Sequence, residues 1–193
     1  MAGKREAIKN AFIEMIEKMS IEQIRTEMLL QRADVSKATF YRLFRDKYDV
    51  MNSVYMDLSF AKVQEDPALH NWKEWTIHDF QNILAHKTFF RHIISYQGQN
   101  SLREVAGQFY RENILRQIEK EVPKEKISER LLYLVDAFVE VNVFTLLWYI
   151  KKDCQIEMQE VVDYVEACIP TELKPYFLEK SLEEGKKGKD LTS

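Results

Sequence analysis

Apolar residues recur at three-and-four spacing through most of this chain. Ala7, Ile8, Ala11, Phe12, Met15, Ile16 and Met19 form the first stripe and predict an opening amphipathic helix with Lys4, Arg5 and Lys9 on its polar face. Two shorter periodic runs follow. Thr26 is placed to cap a helix whose inward face is Leu29, Leu30 and Ala33, and Ser36 to cap a second whose inward face is Phe40, Leu43 and Phe44. With only a short turn between them, the pair reads as a helix-turn-helix. The outward face of its second helix carries Lys37, Thr39, Tyr41 and Arg42, donor-rich side chains that hold phosphates or reach base edges. Asp46 then caps a fourth helix with Val50, Met51, Val54, Tyr55 and Leu58 on one face, a connector that ends near Asp66 and Pro67.

The remaining pattern is also helical. Asn71 with Glu74 starts a helix through Trp72, Trp75, Phe80, Ile83 and Leu84, and Thr88 opens a short one through Phe89, Phe90, Ile93 and Ile94 that stops at Gly98. Ser101 with Glu104 is a capping box for a helix through Val105, Phe109, Ile114 and Ile118, which must end before Pro123. Leu131 to Ile150 is apolar on most sides, and Met158, Val161, Val162 and Val165 give a last helix ending at Pro170. The expected fold is all-α, about nine helices: an N-terminal three-helix helix-turn-helix domain over 1–48, a larger helical domain over 49–182, and a charged, flexible tail over 183–193.

The stretch from Ala33 to Val50 resembles the DNA-binding domain of the TetR family of transcriptional regulators. That family's usual pattern is an Ala-Gly-Val-Ser turn, a Thr-Phe-Tyr core in the recognition helix, a closing Phe and a Lys soon after. Here the matching residues are Ala33-Asp34-Val35-Ser36, Thr39-Phe40-Tyr41, Phe44 and Lys47. Asp34 replaces the common Gly, and Asp tolerates a left-handed turn better than most residues. Ala38 stands where Gly or Pro is common and keeps a small side chain near the DNA. The resemblance implies DNA contact from Thr26, Ser36, Lys37, Ala38, Thr39, Tyr41, Arg42 and Lys47. Phe40 and Phe44 belong to the core. A cation at Lys47 is unfavourable in the first turn of its own helix, and a phosphate shared with the helix end would account for it.

Composition agrees without adding much. Five Gly and four Pro in 193 residues suit a nearly all-helical protein. The net charge of −3 does not favour nucleic acid, although the first 50 residues hold ten Lys and Arg against eight Asp and Glu. Cys154 and Cys168 form no metal or redox spacing, and no secretory leader opens the chain, so the cytoplasm is the expected compartment. The apolar run 131–150 contains Asp136, Glu140 and Asn142; a central acid costs about 2.5–3.5 kcal/mol on insertion, so a buried helix is favoured over a membrane span. His70, His78, His86 and His92 complete no metal site. Asp136 and Glu140, one turn apart, are read as facing solvent, a partner or the polar end of a cavity, since no catalytic set accompanies them. Neither an enzyme nor a cofactor is expected.

The run 131–150 has Val135, Phe138, Val139, Val141, Val143, Phe144, Leu147 and Trp148 around its circumference, so one domain cannot cover it. A second copy of the chain is the expected cover, the central helix of a monomeric bundle being the alternative. The resemblance implies a homodimer through the last two long helices, with Val139, Val143, Leu147, Met158, Val162 and Val165 at the interface. It also implies a small-molecule effector in the second domain, and Phe80, Leu84, Phe90, Tyr96, Phe109, Tyr110, Phe138 and Asn142 are its expected walls. The function expected is a repressor, bound to double-stranded operator DNA and relieved by that effector. The alternative is a co-activator or ligand-independent regulator working through a protein partner.

Overall fold

The structure, a computed structural model, describes residues 2–65, 72–98 and 100–177. Ten α-helices and no strands occur among them: α1 (Ala2–Ile16), α2 (Thr26–Arg32), α3 (Lys37–Leu43), α4 (Lys47–Glu65), α5 (Trp72–Ala85), α6 (Lys87–Ile93), α7 (Leu102–Ile118), α8 (Glu129–Lys151), α9 (Met158–Ala167) and α10 (Lys174–Phe177). The starts proposed at Asn71 and the stops at Asp66 and Pro67 lie outside the described residues, as do His70 and the tail.

Side-chain caps explain four of the helix starts. The Ser36 hydroxyl accepts from Thr39 N at 3.2 Å, the Ser101 hydroxyl from Glu104 N at 3.4 Å, and the Ser128 hydroxyl from Leu131 N at 3.2 Å. Each such cap is worth about 0.5–2 kcal/mol. Asp46 Oδ1 accepts from Tyr48 N at 2.8 Å and Asp49 N at 2.9 Å, which starts α4. Thr26 departs from expectation. It is the first residue inside α2, and the cap position belongs to Arg25, whose side chain makes no capping bond.

Ile8, Phe12 and Ile16 of α1 are fully buried and form the floor on which Leu29 of α2 and Phe40 of α3 pack. The core does not stop at the expected boundary near residue 48. It continues through Tyr55 of α4 and Phe90 of α6 to Phe138 and Val165, and α4 packs on both α1 and α5. Lys9, itself buried, ties α1 to α4 through Asp57.

The long apolar helix α8 packs along α7, and two ion pairs hold its polar edge: Arg111 Nε to Asp136 Oδ1 at 2.6 Å, and Arg103 to Glu140. These arginines are the partners of the two carboxylates singled out in the sequence. By length and composition α8 is able to cross a membrane, and its buried face, Val135, Phe138, Val139, Val143, Leu146 and Ile150, accounts for much of that apolar character.

Candidate nucleic-acid interface

The turn between α2 and α3 is sharp because Asp34 takes φ 50, the left-handed conformation in which Gly is usual. Val35 N reaches back to Leu30 O at 3.0 Å and Ala33 N to Leu29 O at 2.9 Å, closing the end of α2. Ser36 then restarts the chain as α3, and its hydroxyl also donates to Thr39 Oγ1 at 3.0 Å. Phe40 is fully buried and Phe44 nearly so, with ring centroids 6.0 Å apart, so the inward face of α3 is fixed by two rings.

The opposite face is open. Lys37, Ala38, Tyr41 and Arg42 are exposed, and Thr39 is half-buried beside its cap. Lys37 lies 6.0 Å from the centre of the Tyr41 ring, and neither Lys37 nor Arg42 makes an ion pair among the described residues. Nearby cations do. Arg32 holds Glu14 with Nε at 2.7 Å, and Arg45 approaches Asp49 at 3.9 Å.

Lys47, which the resemblance assigns to DNA contact, is engaged within the chain: its ammonium donates to Ile21 O at 2.7 Å, Ile24 O at 2.7 Å and Glu22 O at 3.3 Å. Its presence at a helix N-terminus is explained by the loop it closes, and burial lowers its pKa from the ordinary lysine value. Arg5, treated in the sequence only as polar-face charge, has a comparable role. It donates to Leu43 O at 3.1 Å and Ser53 Oγ at 3.2 Å, with its guanidinium 4.4 Å over the Phe44 ring.

Besides the packing of α4 on α1 and α5, residues at and near the α6–α7 connection also touch the DNA-binding part. The rings of Tyr48 and Tyr96 stack at 4.1 Å and 12°. Asn52 Nδ2 donates to Asn100 O at 3.1 Å, with Asn100 in the left-handed conformation at φ 58, and the His92 ring meets Ile16 O at the end of α1.

The eight expected cavity walls do not form one group. Leu84 is exposed, and Tyr96 faces the DNA-binding part through Tyr48. Phe80, Phe90, Phe109, Tyr110, Phe138 and Asn142 are buried and already packed. Phe80 sets its edge against Tyr149 at 5.1 Å, Phe138 lies between Trp72 and Phe177, and Asn142 Nδ2 donates to Phe138 O at 2.7 Å. Asp79, to which the sequence pattern assigned no role, is fully buried beneath Tyr110, and burial raises its pKa to about 7 against the opposing hydrogen bond from Tyr110.

Of the expected dimer residues, Val139, Val143, Val162 and Val165 are buried within the chain, and Leu147 and Met158 are half-buried, because α8 turns this stripe toward α7 and α9. The outward stripe is a different one. Tyr133 is 72% exposed, Phe144 63% and Tyr164 46%. An open groove of about 520 Å³ runs beside it, lined by Val141, Phe144, Trp148 and Tyr164 with the Arg103–Glu140 pair at its edge.

A capped helix with a solvent-facing polar side, the third of a three-helix helix-turn-helix unit and followed by a larger helical body, is the architecture of a helix-turn-helix transcription regulator. Residues 70–170 match the family TetR_C_8, described as "Transcriptional regulator C-terminal region". The chain belongs to the TetR family of transcriptional regulators. Among solved structures it is similar to a TetR transcriptional regulator from Rhodococcus sp. RHA1, with TM-score 0.57, 12% identity, and 93% of this chain and 98% of that one covered. It is also similar to the dihydroxyacetone kinase operon activator DhaS, with TM-score 0.53, 13% identity, and coverage of 86% and 96%. No curated protein sequence matches it.

Proposed function

We propose that the chain acts in the cytoplasm as a homodimeric repressor that occupies double-stranded operator DNA and is released by a small molecule bound within residues 49–182. The observation that carries this reading is the outward face of α3. Lys37, Tyr41 and Arg42 stand exposed on the helix that Ser36 starts, and the two cations are not engaged with internal carboxylates among the described residues. Cations held this way on the second helix of a helix-turn-helix are suited to a phosphate backbone.

One recognition helix reads only a few base pairs, so a two-fold partner is needed for a long operator. A second copy covering Tyr133, Phe144 and Tyr164 supplies it and sets the recognition helices about 34–36 Å apart, one turn of DNA. An effector that favours another spacing shifts the population away from the DNA-competent one. The contacts Tyr48–Tyr96, Asn52–Asn100 and His92–Ile16 are the route by which the α6–α7 segment reaches the DNA-binding part.

The name of DhaS denotes an operon activator, and an activator or ligand-independent regulator requires a protein partner in addition to DNA. At 13% identity that likeness supports the fold alone, whereas steric repression needs nothing beyond the bound dimer. The test is selection of duplexes from a random pool by the full-length protein, followed by anisotropy titration at two salt concentrations with the mass in solution recorded. Enrichment of a palindromic sequence bound by a dimer with steep salt dependence is expected. A monomer that enriches nothing at low salt overturns the reading.

A further inference from the structure

The cations around the recognition helix divide into two sets by what they touch. Lys37 and Arg42 face outward, whereas Lys47 and Arg5 are engaged by the protein itself. An ammonium has three N–H donors, and Lys47 directs them at three backbone carbonyls, Ile21 O, Glu22 O and Ile24 O. Swinging Lys47 toward a phosphate would break all three bonds at once, two of them part-buried beside the fully buried Ile21 and Ile24 side chains, and hydrogen bonds to a charged donor are worth more than neutral ones.

Where these bonds fall in the domain gives them their effect. The α2–α3 hairpin is closed at one end by the Asp34 turn and Ser36 cap. Its other end is open: residues 21–25 lead into α2, and residues 44–46 leave α3. Lys47, the first residue of α4, joins the two sides of that opening. Arg5 acts on the last turn of α3. Leu43 O is among the carbonyls left without a partner inside a helix at its C-terminus, a guanidinium is favourable there, and the same group reaches Ser53 on α4. Phe44 beneath the guanidinium fixes its plane.

We propose that Lys47 and Arg5 are positioning residues of the DNA interface, which set the angle and rotation of the recognition helix by tying the open end of the α2–α3 hairpin and the last turn of α3 to the domain body, without touching phosphate. This rests on the reading of α3 as the DNA-contacting helix. Base readout demands placement within about 0.5 Å and 10–20°, so loosening either tie costs sequence discrimination more than general affinity.

The experiment uses full-length wild type, Lys47→Met, Arg5→Gln and, as an outward-facing comparator, Lys37→Met. Each is titrated against a duplex selected by the wild type and a scrambled duplex across a salt series, well below its melting temperature. For Lys47→Met and Arg5→Gln, affinity for the selected duplex is expected to fall about tenfold or more, the scale of one mismatched base pair, while the scrambled duplex changes by less than about twofold. The slope of log affinity against log salt stays at the wild-type value. In Lys37→Met that slope shrinks by about 0.9. A comparable reduction of slope in Lys47→Met and Arg5→Gln overturns the proposal, because it marks direct phosphate neutralisation. A lowered melting temperature with an unchanged ratio of selected to scrambled affinity also overturns it. Should Lys47→Met fail to fold, Arg5→Gln carries the same test from the exposed side of α1. A wild type that selects no duplex removes the DNA-binding reading itself, and the proposal with it.

Discussion

The Tyr110 hydroxyl donates to Asp79 Oδ2 across 2.9 Å in the buried space between α7 and α5. Tyr55 and Ser59 bring α4 to the same place: both are fully buried, and the Asp79 charge acts on the Tyr55 hydroxyl. The Ser59 hydroxyl favours the ionised carboxyl, yet Asp79 Oδ1 has no partner within hydrogen-bonding geometry among the described residues. A buried carboxylate with one oxygen unmatched favours its neutral form, and burial holds the Tyr110 hydroxyl far above its ordinary pKa as well, reinforced by Asp79.

Stability is therefore expected to depend on pH through Asp79. Its pKa rises from an ordinary carboxyl value in the unfolded chain to about 7 when folded, so between roughly pH 4 and 7 the folded state holds the extra proton. The contribution is complete below that window and is lost as pH rises through it, at no more than about 1.4 kcal/mol per pH unit. Urea midpoints at pH 5, 6, 7 and 8 should fall with pH in the wild type and flatten in Asp79→Asn. Equal slopes in the two proteins would assign the dependence elsewhere.

The two apolar stripes of α8 separate association from folding. Phe144→Asp changes a side chain that is 63% exposed and is expected to give a folded monomer by light scattering, with helicity retained. Val143→Asp buries a charge at a position 1% exposed and is expected to destabilise the protomer by several kcal/mol. A Phe144→Asp protein that remains a dimer would place the second copy on another face.

Much of this fold was legible in the sequence because helix periodicity and caps are local properties. Ser36, Asp46 and Ser101 cap as their sequence positions suggest, and Phe40 and Phe44 face inward as their spacing requires. What was not legible depends on the other side of a contact. Period alone marks α8 as apolar all round, but which stripe meets α7 and α9 is set by tertiary packing, and Val139 and Val143 lie on the inner one. The bonds of Lys47 are hidden for the same reason, since its three acceptors lie 23 to 26 residues earlier in the chain. Asp79 had a usable signal. It falls in phase with Trp72, Thr76, Phe80 and Ile83 on the buried face of α5, so a helical wheel marks it as an acid in the core.

The outward cations of α3 carry the next expectation. Arg42→Ala and Lys37→Ala each remove a charge that has no ion-pair partner among the described residues, so neither should alter stability by more than the roughly 0.5 kcal/mol usual for surface changes. Each should lower affinity for selected and scrambled DNA alike and reduce the salt slope by about 0.9 for every phosphate no longer neutralised. Anisotropy titrations from low to moderate salt measure both quantities. Unchanged slopes in both variants would move the DNA-contacting face off α3.

Tyr48 and Tyr96 are the clearest point at which the larger helical body grips the DNA-binding part. Their rings stack nearly parallel, Lys47 lies 5.2 Å from the Tyr48 ring centre, and burial raises the Tyr48 pKa, with Tyr96 adding to the effect. Tyr96 therefore stands against the residue beside Lys47, whose ammonium holds the lead-in to α2. A double-mutant cycle of Tyr48→Ala and Tyr96→Ala on unfolding free energy is expected to give a coupling of about 0.5–1.5 kcal/mol, the value of a stacked aromatic pair. Tyr96→Ala alone is expected to change operator affinity although Tyr96 lies outside the helix-turn-helix, whereas Tyr133→Ala, on the outward stripe of α8, is not expected to perturb this joint. A coupling near zero would mean that the rings stack without linking the two parts, and transmission would then rest on Asn52–Asn100 and His92–Ile16.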